Sequence, residues 1–136
     1  MLSPDLDTVR LFVHVLAAAV WVGGQFALVG VLPVLRRLGD DAPRAAARGF
    51  ARVAWPAFAV VVATGIWNVL EVDLASADIA YSLTLGLKVL LVAAIGLAAF
   101  AHGTTRDRRL LALTGALGAV GGVVVLFLGV LLAHQG

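Results

Sequence analysis

The sequence predicts an all-α integral membrane protein: a bundle of four transmembrane helices with short loops, forming one domain over residues 1–136. Two observations lead to this prediction. Hydrophobic residues make up 62% of the chain and charged residues only 13%, whereas soluble domains carry about 25% charged residues. The apolar residues also fall into four long segments, each close to the ~20 residues that a helix needs to cross a bilayer core of ~30 Å.

The four predicted spans follow from these segments and from the residues at their ends. The first runs from about residue 11 to 35 and follows Ser3-Pro4-Asp5, which is typical of a helix N-terminus. The second covers about 53–70, the third about 84–102 and the fourth about 110–133. The first span is too long for a signal peptide and lacks its basic start, so we interpret it as a membrane helix.

The basic residues predict the orientation of the spans. Eight of the ten lie in the connections between spans one and two and between spans three and four: Arg36, Arg37, Arg44, Arg48, Arg52, Arg106, Arg108 and Arg109. Because basic loops stay on the cytoplasmic side, both termini are predicted to lie outside, in a multi-pass protein of the inner (cytoplasmic) membrane. The same placement accounts for the net charge of +2 without a nucleic-acid partner.

A polar stripe on span one is the first candidate site. Polar side chains are costly in hydrocarbon, so each one is a functional candidate. Helical spacing places His14, Trp21 and Gln25 on one face, with the small Ala18 beside the histidine, which leaves room for a flat group. The alternative interpretation is structural: the histidine and the glutamine would each hydrogen-bond to a neighbouring helix.

Further candidates lie toward the outer ends of the other spans. Thr64, Asn68 and Glu71 share a face of span two, and Lys88 lies about one turn into span three. His134 lies at the outer end of span four. Snorkelling of Lys88 to the interface and solvation of His134 are the structural alternatives. His102, at the cytoplasmic end of span three, is too far from these residues to join them and would mark a second site.

The donor set limits the cofactors that the chain can bind. The chain has no cysteine, which excludes disulfides, thiolate metal sites and iron–sulfur clusters. Closed copper sites take three or four strong ligands. At most two histidines, His14 and His134, are expected at the same depth in the membrane, so only a weak, open copper site is predicted. A b-type heme needs only one or two axial ligands. No hydrolase or phosphotransferase motif is present.

Glycines in span four suggest a packing face. Gly118 and Gly122 form a small-xxx-small pair, which allows close helix approach. The pair fits either packing within the chain or a homodimer.

Three stretches of the chain resemble a known family. Residues 14–24, His-Val-Leu-Ala-Ala-Ala-Val-Trp-Val-Gly-Gly, resemble the first helix of the copper-resistance D (CopD) domain, and Phe50-Ala-Arg52 and Gly86-Leu-Lys88 fit the same pattern. A span-one histidine with a span-three lysine is also similar to HemJ-type protoporphyrinogen oxidases. The resemblance implies either copper handling or heme-linked redox chemistry, the latter with His14 and Lys88 as the matching residues.

Three functional hypotheses follow. The first is a CopD-like protein that handles copper at the cytoplasmic membrane, with His14 and His134 as ligands. The second is a b-type heme protein with His14 as axial ligand and with Lys88, Trp21, Gln25 and Asn68 around the cofactor. The third is a membrane subunit without a cofactor. Enzymatic activity is left open.

Overall fold

The computed structural model describes residues 5–135, which form four helices and no strand. Helix α1 spans Leu6–Leu38, α2 spans Ala42–Leu70, α3 spans Ile79–Thr104 and α4 spans Arg108–Gln135. Each helix is long and apolar enough to cross a membrane. The predicted fold class, an all-α membrane protein of four helices with short connections, is therefore confirmed.

The helices extend beyond the predicted apolar spans. The largest difference is in α2, which begins at Ala42 rather than near residue 53. Hydropathy marks only the part of a helix that lies in hydrocarbon, whereas backbone hydrogen bonding continues into polar sequence. As a result Arg44, Arg48 and Arg52 lie on α2 itself, and all three are exposed.

Local sequence signals determine both ends of α1. The Asp5 carboxylate accepts a hydrogen bond from the Thr8 amide at 2.7 Å and caps the helix. Ser3 and Pro4, which were included in the predicted start, lie outside the described residues. At the other end Gly39 has φ +130°, a conformation that favours glycine, and the chain reverses there within three residues.

Consecutive helices pack as two hairpins, α1 on α2 and α3 on α4. The chain divides into two compact units after Val72, so that each unit contains one hairpin. In the first, the Trp21 ring of α1 packs on Phe58 and Trp55 of α2, with centroid distances of 4.6 and 5.7 Å. In the second, Gly121 of α4 lets the Ile95 side chain of α3 approach closely.

Candidate functional site

The first hairpin holds His14 by a hydrogen bond between its two helices. His14 Nδ1 lies 2.7 Å from Thr64 Oγ1, and the Thr64 hydroxyl lies 2.6 Å from the Val60 carbonyl oxygen one turn earlier. A hydroxyl has one proton, and Thr64 donates it to that carbonyl. When its proton lies on that carbonyl, the hydroxyl accepts from His14 Nδ1–H, and the lone pair of the imidazole is then on Nε2.

A glycine lets the imidazole ring lie close to α2. A Cβ added to Gly65 would lie 3.5 Å from His14 Cε1, so a side chain longer than alanine would meet the ring. His14 itself is half-buried. The predicted structural alternative, a histidine hydrogen-bonded to a neighbouring helix, is confirmed for His14, and the same bond fixes the direction in which Nε2 points.

Arg10, which was not among the predicted site residues, lies one turn before His14 on α1. Arg10 Nη2 lies 3.1 Å from the Asp7 carboxylate, and Arg10 Nη1 lies 3.7 Å from that of Glu71. Its guanidinium also lies 5.7 Å from the centroid of the Trp67 ring. The side chain is only 13% exposed, and its Nε–H is buried without a partner among the described residues.

The polar residues of α2 near His14 differ in whether their side chains make hydrogen bonds. Glu71 is exposed and accepts a hydrogen bond from Trp67 Nε1 at 3.1 Å. Asn68, one turn beyond Thr64 on the same helical face, is half-buried, and its amide makes no hydrogen bond within residues 5–135. We define the His14 site as Arg10, His14, Thr64, Gly65 and Asn68, all within the first hairpin.

Trp21 and Gln25 make their hydrogen bond and ring contacts further along the first hairpin. Trp21 is 7% exposed and packs in the aromatic cluster of α1 and α2, and its Nε1–H has no partner in the described part of the chain. Gln25 donates to the Trp21 carbonyl at 3.3 Å, on its own helix. Two helical turns, about 10 Å along the axis, separate Trp21 from His14. Their predicted cofactor contact stays a prediction.

Lys88 lies in the second hairpin, half-buried against a glycine of the facing helix. A Cβ on Gly129 would lie 3.1 Å from Lys88 Nζ, so the amine packs close to the α4 backbone. Lys88 makes no ion pair or hydrogen bond with any described residue. An amine in this position remains available to a ligand, which keeps its cofactor role a prediction.

The second predicted metal ligand, His134, is exposed in the last turn of α4. Among the described residues no group of three histidine or carboxylate side chains is arranged to hold a metal ion. The binding of copper by His14 and His134 stays a prediction.

Fold and site together define a multi-pass membrane protein in which helical hairpins hold oriented polar side chains. No profile of a known protein family matches the chain, and searches of curated proteins and of solved structures also find no match. The likeness to CopD and HemJ proteins therefore rests on the short stretches described above.

Proposed function

We propose that the protein is a b-type heme-binding redox protein of the cytoplasmic membrane, with His14 Nε2 as an axial ligand. The observation that carries the proposal is the 2.7 Å contact between His14 Nδ1 and Thr64 Oγ1. With Nδ1 protonated, this contact holds the ring in the tautomer in which Nε2 can coordinate a metal. Hydrogen bonding of the second ring nitrogen is the usual way in which ligating histidines are oriented and made more basic.

Other residues of the His14 site fit the same ligand. Heme carries two carboxylates, and the buried Arg10 Nε–H is a donor without an acceptor, one turn from the histidine. The Asn68 amide is a second unpaired polar group on the facing helix. Gly65 lets the imidazole ring lie close to the α2 backbone, since a Cβ there would lie 3.5 Å from His14 Cε1. A bound heme would supply one-electron redox chemistry, while these residues bind it, orient it and neutralise its charge.

The test is the visible spectrum of the full-length protein, purified in detergent from heme-supplied cells. We expect a Soret band that is lost or clearly reduced in His14→Ala, because an axial ligand is removed. His134→Ala is the matched control and should keep the band, since this exposed histidine lies at the end of α4. A Soret band unchanged in His14→Ala, or a protein that takes up no heme, would contradict the proposal.

Copper handling is the alternative that the CopD-like residues favour. His14 would again supply Nε2, and His134 would be the second ligand. Titration of the heme-free protein with copper separates the two proposals. Copper binding that is weakened in both His14→Ala and His134→Ala, by a protein without a Soret band, would replace the heme proposal. A protein that binds neither would leave the third hypothesis, a subunit without a cofactor.

The proposed orientation can be tested by cysteine labelling, because the chain has no native cysteine. Ala45 lies on the basic side at the start of α2, and Ala75 lies in the acidic connection after α2; both are exposed. In intact spheroplasts, a membrane-impermeant maleimide should label Ala75→Cys and should reach Ala45→Cys only after permeabilisation. The reverse labelling pattern would show that the protein has the opposite orientation in the membrane.

The homodimer proposed for Gly118 and Gly122 makes a separate prediction. Both glycines are buried within the chain, which favours a packing role there. We therefore expect Gly118→Leu to lower the stability of the monomer in detergent, whereas Leu at the exposed Ala116 of the same helix should not. A dimer detected by light scattering that dissociates in Gly118→Leu without loss of stability would show instead that these glycines form an intermolecular interface.

A further inference from the structure

The second hairpin contains a histidine held in the same way as His14. His102 Nδ1 of α3 lies 2.9 Å from Thr114 Oγ1 of α4, and the Thr114 hydroxyl lies 2.6 Å from the Leu110 carbonyl oxygen one turn earlier. A Cβ on Gly115 would lie 3.3 Å from His102 Cε1. By the argument used for Thr64, the Thr114 hydroxyl accepts from Nδ1–H, and the lone pair of His102 is on Nε2.

The two arrangements correspond residue by residue. Each hairpin places a histidine on its first helix and a Thr-Gly dipeptide on its second, and in each the ring meets both the hydroxyl and the glycine. The sequence contains three histidines and two Thr-Gly dipeptides, at 64–65 and 114–115. Both dipeptides are therefore used to hold a histidine in one tautomer.

The bond to Thr114 is not needed to satisfy a buried histidine. His102 is exposed, so water could satisfy its ring, whereas Thr114 is only 9% exposed. His102 Nε2 makes no hydrogen bond or ion pair with any residue of the described chain. The hydrogen bond between His102 and Thr114 instead orients an exposed imidazole so that its lone pair is on Nε2. This form of histidine can coordinate a metal ion.

Positive charge surrounds this end of the hairpin. Helices α3 and α4 are joined by residues 105–107 only, and the Asp107 carboxylate is occupied by the amides of Arg109 and Leu110, at 2.7 and 3.1 Å. Arg106, Arg108 and Arg109 are exposed, and they form no ion pair with a described residue. One histidine nitrogen and three nearby arginines match a ligand whose metal ion binds that nitrogen and whose edge carries carboxylates.

We infer that His102, Thr114 and Gly115 form a second axial-ligand site, which takes a metalloporphyrin through His102 Nε2 with its carboxylates toward the arginines of the α3–α4 connection. The inference rests on the proposed heme function and extends it: the chain carries one histidine site in each hairpin, and its capacity is two hemes. His102 and the arginines bind the ligand, while Thr114 is a positioning residue that acts through His102.

The experiment is a hemin titration of the full-length protein in detergent, with heme per chain measured as pyridine hemochrome after gel filtration. We expect two hemes per chain in the wild type, one in His14→Ala, one in His102→Ala and none in the double variant. Thr64→Val and Thr114→Val preserve side-chain shape and remove the hydroxyl. Each should weaken its own site by about 10–100-fold and leave the other unchanged.

The outcomes distinguish this inference from the function on which it rests. One heme in the wild type that is lost in His14→Ala and kept in His102→Ala would overturn the second site and leave the proposed function intact. One heme that is lost only in His102→Ala would support the second site and overturn the role of His14. No heme in the wild type would overturn both. Far-UV circular dichroism verifies folding, and Thr114→Val tests the second site if His102→Ala does not fold.

Discussion

The Trp21→Ala variant is expected to lose about 3–5 kcal/mol of unfolding free energy, the usual cost of removing a large buried aromatic side chain. Trp21 is 7% exposed and is the centre of the contact between α1 and α2, with Phe58 at 4.6 Å and Trp55 at 5.7 Å. Truncation removes both ring contacts and leaves a cavity between the two helices. The measurement is unfolding by SDS in mixed micelles, followed by far-UV circular dichroism.

Phe12→Ala is the matched control for this experiment. Phe12 lies on the same helix but is 63% exposed, so its ring lies outside the packed core. We expect a change below about 0.5 kcal/mol, as for surface substitutions away from packed features. Equal losses in Trp21→Ala and Phe12→Ala would show that the aromatic cluster does not stabilise the first hairpin.

The Gly24→Ala variant is expected to cost about 1–3 kcal/mol, as overpacking does in a close-packed interface. A Cβ on Gly24 would lie 2.7 Å from Phe50 Cζ and closer still to Cε2, so the phenyl ring of α2 would have to move. The adjacent Gly23 supplies the control, because a Cβ there meets nothing within 4 Å. Gly23→Ala should be neutral or stabilising, since alanine has the higher helix propensity.

A double variant tests the cause of the Gly24 effect. When Phe50 is replaced by alanine, the ring that opposes the new Cβ is absent, and Gly24→Ala should then cost little. The two substitutions are therefore expected to be non-additive, as contacting residues are in a double-mutant cycle. An equal cost of Gly24→Ala in both backgrounds would refute the proposed contact with Phe50.

The candidate site could be predicted from the sequence only in part. Helical spacing identified the His14 stripe, because residues three or four apart share a face. Arg10, four residues before His14, shares that face but was not among the predicted site residues, and only the structure shows its 13% exposure. For Gln25 the structural alternative was a hydrogen bond to a neighbouring helix, and the structure instead shows one to the Trp21 carbonyl of its own helix. The sequence alone does not show which of several possible partners each of these polar side chains contacts.

The repeated histidine arrangement shows the same limit. Two Thr-Gly dipeptides can be read from the sequence, and Thr64 was placed on a polar face of α2. Thr64 is fifty residues from His14, however, and its pairing depends on how the two helices are rotated about their axes. For His102 the partner Thr114 is twelve residues away across a short connection, and the sequence analysis did not find it.

The sequence by itself determined that this is an all-α membrane protein of four long helices, because chain length and hydropathy alone decide whether a segment can cross a bilayer. The tertiary structure decided which polar groups meet. The rotation of each helix about its axis follows from close packing at small residues, Gly24, Gly65 and Gly115 among them. That rotation brings a threonine hydroxyl to Nδ1 of His14 and to Nδ1 of His102, contacts that no spacing along the sequence specifies.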